Sequence, residues 1–574
     1  MTDQTVGYIG KAPRTRFGLR ELRPATTYWL AAAITLIVLA VRWGTEGGPA
    51  TSIFALAVCL TLAAVLVLLT RRILFATVTV SGLALSIVLG ASIKLKKMNM
   101  VMHAYDLLFY LSSWSTVTYL WHDYRRYFVS ILAAVIAAAL ASAIAFCVDG
   151  SRVPRRHAAL AAALFATIAY GASVAKGERR HTEFAYAGQY LTFFFSSWPE
   201  TLAALWRGQL LEAALKAPGP PFSVPEQCAL PRKPPHILLI HQESVAPPSY
   251  FPQLVYDRAL DSFFHSADGR LHKLRVETYG GASWLTEFSL LAGVSTYSFG
   301  GMRSFVQLLM AGKVHDTVPH VLAQCGYRNV VFYPMLRNFV SNDKFYAAAG
   351  LPEIFDVQDQ GAKRVNERDR FYYANALAEM ERHFARSDKP LFTFIQTMST
   401  HWPYDVTYEP EEEVAGGGPG TDPEMHEYLR RLALAKRDYE FLKSELARRF
   451  PGQPFLIFRY GDHQPVATRT LLGFDEKLEA EDVLLEVDSV GFLTFYAVEG
   501  INYRPPNLPA IDVIDVPYLG AILLQAAQLP MSDAYKERLR LMEVCEGRYY
   551  SCPDRREILR FHRRLIDSGL IEAR

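Results

Sequence analysis

The apolar positions of this chain are spread unevenly, and nearly all of their excess lies before residue 176. Five segments there, residues 26–43, 52–70, 73–93, 127–147 and 157–175, read as membrane-spanning helices. A helix needs about 20 apolar residues to cross about 30 Å of hydrocarbon. The middle three meet that length without a Lys, Arg, Asp or Glu; the first is the shortest, and Arg42 falls at its end. Beyond residue 235 the pattern changes to short apolar runs alternating with amphipathic stretches. "HILLI" (236–240), "RNVVFY" (328–333), "LFTFIQT" (391–397) and "FLIFRY" (455–460) read as buried strands. Between them, "TVPHVLAQCGY", "FYYANALAEMERHF" and "YLRRLALAKRDYEFLKSELARRF" read as helices. Strand–helix alternation predicts an α/β domain with a mainly parallel sheet covered on both faces.

These patterns divide the chain into four parts. Residues 1–25 form an N-terminal segment, 26–175 a helical membrane domain, 176–234 a connecting region, and 235–574 an α/β domain. The connecting region begins with "GQYLTFFFSSWPETLAALWRGQLLEAAL", whose Trp198 and Trp206 suit either helices on the membrane surface or amphipathic helices packed on the α/β domain. The Pro-rich stretch 217–235 follows and reads as a partly extended linker. No internal repeat is evident. The acidic, glycine-rich stretch 409–424 reads as a mobile surface loop.

Composition and charge add the setting. The chain is 51% hydrophobic and 20% charged, and a net charge of +3 gives no case for nucleic acid. No cleavable signal-peptide pattern is evident at the start, where Lys11, Arg14, Arg16, Arg20 and Arg23 are expected to stay in the cytoplasm. Arg71, Arg72, Arg152, Arg155 and Arg156 fall on that same side if all five segments cross. Lys94, Lys96, Lys97, Arg125 and Arg126 fall on the other side, against the rule. Five crossings place everything after residue 176 outside. Cys59 and Cys147 lie in membrane segments, whereas Cys228, Cys325, Cys545 and Cys552 face an oxidising compartment, where Cys545 and Cys552 are close enough to pair.

Parallel sheets bind ligands beyond the carboxyl ends of their strands. The four strand ends carry His241-Gln242-Glu243-Ser244, then Arg337, Asn338, Asn342 and Asp343, then Ser399-Thr400-His401, then Asp462-His463. Glu243, Asp462 and His463 offer two carboxylates and an imidazole, a donor set suited to one divalent cation, Zn²⁺ or Mn²⁺. Ser283, after two glycines and before "WLTEFSLLAG", falls at a helix N-terminus, where backbone N–H groups favour a phosphate. It is a candidate nucleophile and fourth ligand, or simply an N-cap. Thr278 and Thr286 are competing hydroxyls.

With these residues in place, the α/β domain resembles the alkaline phosphatase/sulfatase superfamily. The whole chain resembles its membrane-anchored members, the lipoteichoic acid synthase-type phosphoglycerol transferases and the phosphoethanolamine transferases. Glu243-Ser244 matches a metal-ligand Glu followed by Ser. Ser283 stands four residues before Glu287-Phe288, where lipoteichoic acid synthases carry a nucleophilic Thr. Tyr460-Gly461-Asp462-His463 matches the Asp-His metal pair, and His401 in "THWPY" matches a substrate-binding His. The resemblance covers most of 235–465. It implies a metal held by Glu243, Ser283, Asp462 and His463, with His401, Arg337, Asn342 and Tyr333 around the substrate. The pattern departs at Val340 and Asn342, which stand where the family has a Trp and an Arg, and Arg337 is a displaced substitute cation.

The resemblance further implies transfer of a phospholipid head group, phosphoglycerol or phosphoethanolamine in type, to an envelope glycan or lipid through a covalent Ser283 intermediate. The expected setting is the bacterial cytoplasmic membrane, with the catalytic domain outside. Rivals are a membrane-anchored phosphodiesterase or sulfatase-like hydrolase and an inactive sensor or scaffold. Sulfatases of the superfamily need a Cys or Ser followed by x-Pro-x-Arg, and "SWLTEF" has neither Pro nor Arg.

Overall fold

The computed structural model describes residues 21–42, 46, 48–98, 100–111, 114–175, 189–207, 210–223, 228, 233–364, 366–473 and 488–572. Lys11, Arg14, Arg16, Arg20, Trp43 and parts of the connecting region (176–188, 208–209, 224–227, 229–232) lie outside the described residues. The chain forms two compact units.

The first unit holds the apolar helices Pro24–Arg42, Pro49–Thr70, Ile73–Met98, Arg125–Val148 and Arg155–Ala175. Among the described residues, four helices are long and apolar enough to cross a membrane; the apolar part of the first, Pro24–Leu39, is shorter. Their outward faces are apolar, with Leu36, Leu69, Leu140, Leu160 and Val174 exposed, as hydrocarbon surroundings require. Three helix junctions meet at one end. Leu22 N–H donates to Val148 O at 2.8 Å, Val153 N–H to Arg71 O at 3.0 Å, and Phe75 N–H to Asp149 Oδ2 at 3.0 Å. The Glu46 carboxylate, between the first two helices, instead accepts from Leu191 and Thr192 N–H, beyond the last one. Junctions that alternate in this way are what five successive crossings produce.

The second unit contains Ser197–Arg574 and also Lys97–Tyr119, the loop between the third and fourth helices. His103, Tyr105 and Phe109 of that loop all pack on the Phe305 ring. The segment Lys97–Tyr119 thus packs as part of the same unit as the α/β domain.

The sheet of this unit has eight strands: β1 His236–Gln242, β2 His272–Arg275, β3 Arg328–Phe332, β4 Glu353–Phe355, β5 Leu391–Gln396, β6 Phe455–Gly461, β7 Leu493–Ile501 and β8 Val513–Asp515. Their order is β4-β3-β5-β1-β6-β7-β2-β8, parallel from β4 through β6, with β7 antiparallel to both neighbours. β1, β5 and β6 are buried along their whole length, which is why they read as continuous apolar runs. Alternate residues feed two cores. Ile237, Leu239, Phe392, Phe394, Leu456 and Phe458 face one, under the Ser283–Ala292 helix. Leu238, Ile240, Ile395, Phe455 and Ile457 face the other, under Asp369–Phe384 and Pro423–Arg449.

Two stretches expected to be loose are tied down. In the Pro-rich region, Phe222 N–H donates to Ser568 Oγ at 2.7 Å and its ring stacks edge-on against Phe561; just before it, Ala214 N–H donates to Leu559 O at 2.9 Å and His562 Nδ1 bonds Glu212 O at 2.7 Å. In the acidic loop, Glu412 pairs with Arg368 and Arg437, each at 2.6 Å, Glu409 pairs with Arg364, and Gly417 bridges Tyr256. Its carboxylates had partners far away in sequence, which a composition-based reading does not see. Cys545 pairs with Cys552 as expected, and Cys228 pairs with Cys325 across 97 residues, fastening the connecting region to the domain. Alkylating the unfolded, unreduced protein should label only Cys59 and Cys147, the two free cysteines, and mass spectrometry after reduction should find all six labelled.

Burial holds two histidines of this unit uncharged: His236 is lowered to about 4 and His562 to about 3. In the unfolded chain both take a proton near pH 6.5. The unfolded state therefore binds more protons as pH falls, and stability drops from about pH 6.5 toward 4 for His236 and toward 3 for His562. The melting temperature should fall over this range, and His562→Gln should flatten the fall.

Candidate metal centre

The site is built on the meeting of two central strand ends. After β6, Gly461 passes so close to the turn after β1 that a Cβ there would stand 1.9 Å from Val245 O. Glycine alone permits the approach. Asp462 ties the knot: its Oδ1 accepts Ser244 N–H at 2.7 Å and His463 N–H at 2.8 Å. Its Oδ2 is fully buried and makes no hydrogen bond among the described residues. With only the His241 and His463 ring nitrogens beside it, at 3.1 and 3.3 Å, a carboxylate oxygen at this depth is costly unless positive charge faces it.

His463 and Glu243 complete the frame. His463 Nδ1 donates to Gln464 O at 2.9 Å, because a carbonyl can only accept. Nε2 therefore presents its lone pair, 3.3 Å from Asp462 Oδ2 and 3.3 Å from Glu243 Oε1. Ser283 reaches the same spot from the other direction. Gly280, Gly281 and Ala282 take φ of +67°, +157° and +61°, a tight turn that delivers Ser283 as the first residue of its helix. Its Oγ donates to Glu243 Oε2 at 2.9 Å and lies 3.5 Å from His463 Nε2. The N-cap position belongs to Ala282, so Ser283 is free of the capping role. The competing hydroxyls are engaged: Thr278 donates to Gly281 O at 2.6 Å and Thr286 to Asp462 O at 2.7 Å.

These spacings fit a cation. Donors about 2.0–2.1 Å from a tetrahedral ion stand about 3.3 Å from one another. Four donor pairs here, drawn through both Glu243 oxygens, span 2.9 to 3.5 Å. A further donor set, His241, Glu243 and Asp462, brings one ligand atom from each within 4.8 Å of the others. The electrostatics agree. Burial alone would lower His463, but Asp462 and Glu243 push it up to about 9. Burial would raise the Glu243 carboxyl, but His241, His463 and His401 hold it well below the usual range. Two facing carboxylates demand positive charge, from protons or from a metal.

The expected substrate-side residues are placed with differing directness. His401 is partly buried at the end of the loop after β5, its backbone carbonyl accepting from Arg431 at 2.9 Å. Thr400 of that loop donates to Glu243 O at 2.5 Å, and Asp369 holds Ser399 N–H at 3.0 Å. His401 Nδ1 has no hydrogen-bond partner among the described residues. Tyr333 is buried; burial and the Glu287 charge raise it far above its ordinary value, and Asn342 pairs with it. Arg337 has its guanidinium on Asp356, at 3.0 Å, and on Asp359. Val340, at the point of departure from the family pattern, takes φ +44°, a strained conformation for a β-branched residue. His241 was not among the residues picked from sequence. The available signal was a polar residue at an inward position of an otherwise apolar strand end.

Residues 275–479 match the family model described as Sulfatase. This stretch of the α/β domain is thus similar to sulfatases, in line with the resemblance. The match takes in Ser283, His401, Asp462 and His463. An uncharacterized protein of Haemophilus influenzae (strain ATCC 51907 / DSM 11121 / KW20 / Rd) is 23% identical over 340 residues, 56% of this chain and 56% of that relative's length. Similar solved structures include a phosphoglycerol transferase, GacH, of Streptococcus pyogenes (19% identity, 58% of this chain and 85% of that one, TM-score 0.45). Another is the lipooligosaccharide phosphoethanolamine transferase EptA of Neisseria meningitidis (12% identity, 86% of this chain and 98% of that one, TM-score 0.45). A third is the lipoteichoic acid synthase LtaP of Listeria monocytogenes (15% identity, 51% and 72%, TM-score 0.40).

Elemental analysis of the purified protein should find one divalent cation per chain. Asp462→Asn should lose it, since it removes the charge of a carboxylate that faces the site, while Thr286→Val should retain it.

Proposed function

We propose that this protein is a membrane-bound, metal-dependent transferase. It moves a phospholipid-derived head group, phosphoglycerol or phosphoethanolamine in type, to a cell-envelope glycan or lipid acceptor. The observation that carries this reading is the Ser283 hydroxyl, freed from capping and set against Glu243 and His463 at a helix N-terminus.

A Zn²⁺ or Mn²⁺ ion held by Glu243, Ser283, Asp462 and His463 would supply the charge that favours an ionised hydroxyl and stabilises phosphoryl oxygens. Ser283 Oγ attacks phosphorus of the lipid head group. The Oγ–P bond forms as the P–O bond to diacylglycerol breaks, and the departing oxygen takes up a proton. The N–H groups that open the Ser283–Ala292 helix favour the anionic group. His401, with an unpaired ring nitrogen, binds a phosphoryl oxygen or carries the proton. An acceptor hydroxyl then attacks the Ser283 phosphodiester, gives up its proton, and restores Oγ. Tyr333 and Asn342 stand on the substrate side; Arg337 would have to leave Asp356 and Asp359 to join them. Membrane helices keep the domain beside a donor that is itself a lipid, which raises its effective concentration. The setting we propose is the bacterial cytoplasmic membrane, with the catalytic domain outside the cytoplasm.

Incubation with labelled phosphatidylglycerol and phosphatidylethanolamine tests this. Mass spectrometry should find an adduct on Ser283 that is absent from Ser283→Ala, and its mass names the head group. Transfer to water alone would make the protein a phosphodiesterase, and the absence of any adduct or turnover with metal bound would make it a scaffold.

A further inference from the structure

Glu287 lies one helical turn beyond Ser283, is 2% exposed, and has no part in the reaction above. A carboxylate this deep needs hydrogen bonds or a charged partner. Its Oε2 accepts from Tyr346 OH, and from Gln307 Nε2 at 3.5 Å. Its Oε1 stands 3.8 Å from His241 Nδ1.

Strand register explains why these groups meet. His241 lies beside Gln396 of β5 and Tyr460 of β6. All three share the sheet face of Ile237, Phe392 and Phe458, since side chains two apart point the same way. Tyr460 OH is 3.0 Å from His241 Nδ1, and Gln396 Nε2 donates to Tyr346 OH at 2.5 Å. One edge of the His241 ring is therefore hydrogen-bonded to Tyr460 and faces the Glu287 carboxylate at 3.8 Å, while Glu287 is held by Tyr346. The other edge faces the metal centre, where Nε2 stands 3.1 Å from Asp462 Oδ2 and 3.8 Å from Glu243 Oε2. Asp462 Oδ2 is the oxygen without a hydrogen bond, so His241 stands against it without capturing it.

We propose that Glu287 is a positioning residue of the metal centre. Together with Tyr346 and Tyr460 it fixes the His241 ring, and the ring keeps Asp462 Oδ2 turned toward the cation. Imidazole χ2 is a soft torsion, so the ring orientation depends on what holds its far nitrogen. The inference rests on the metal-centre reading above and not on which head group is transferred.

The test measures the affinity of the full-length protein for Zn²⁺ or Mn²⁺ alone, without lipid, by competition with a chelator. Glu287→Gln should weaken binding by about 10- to 100-fold, the usual effect of losing a group that orients a ligand. His241→Gln should weaken it as well, and the double variant should be no weaker than His241→Gln by itself. The Mn²⁺ paramagnetic resonance spectrum should change in Glu287→Gln, which a merely structural role would leave alone. Should Glu287→Gln fail to fold, Tyr346→Phe decides: it keeps the carboxylate, removes its anchor, and should weaken binding in the same direction. Wild-type affinity in these variants, or losses that add in the double variant, would overturn the inference alone. A wild-type protein that binds neither ion would overturn the metal-centre reading with it.

Discussion

Everything in the site follows from how closely the ends of β1 and β6 approach. Gly461 permits contact with the Val245 carbonyl, and one carboxylate oxygen of Asp462 then staples both turns by accepting the N–H groups of Ser244 and His463. Two such hydrogen bonds to an ionised group are stronger than neutral ones. They use up Oδ1, leave Oδ2 over, and bring Glu243 within 3.3 Å of His463. A parallel sheet whose central strands end level with each other supplies the floor, and the Ser283 helix supplies the wall.

Such an arrangement is costly without its ligand. Glu243, Glu287 and Asp462 lie within reach of one buried imidazole, and three carboxylates in a dry interior repel one another. Proteins keep such strain where function requires it. The surrounding fold can bear it because the two cores flanking β1, β5 and β6 are fully buried and continuous.

The fold was legible where burial is two-sided. The four strands expected from apolar runs are β1, β3, β5 and β6, the fully buried heart of the sheet. β2, β4 and β8 went unread because they are only three or four residues long, and β7, nine residues with the apolar run "LTFYAV", was passed over. The candidate ligand residues Glu243, Asp462 and His463 could be picked out because they follow those strands directly. Ser283 was legible as a helix start, but its hydrogen bond to Glu243, 40 residues away in sequence, was not. His241 and Glu287 were in plain view and were passed over: their meaning lies in strand register and helix packing, which one-dimensional spacing does not encode. The same holds for Cys228–Cys325 and the ion pairs of the acidic loop, whose partners are set by tertiary folding.

The loop Lys97–Tyr119 carries a consequence for biogenesis. Its His103, Tyr105 and Phe109 cover Phe305, yet they are synthesised between two membrane helices, some two hundred residues before the surface they cover. The α/β domain therefore completes itself against a segment made well before it. Cutting the chain at its Pro-rich region would strip the Phe305 surface of that aromatic cover.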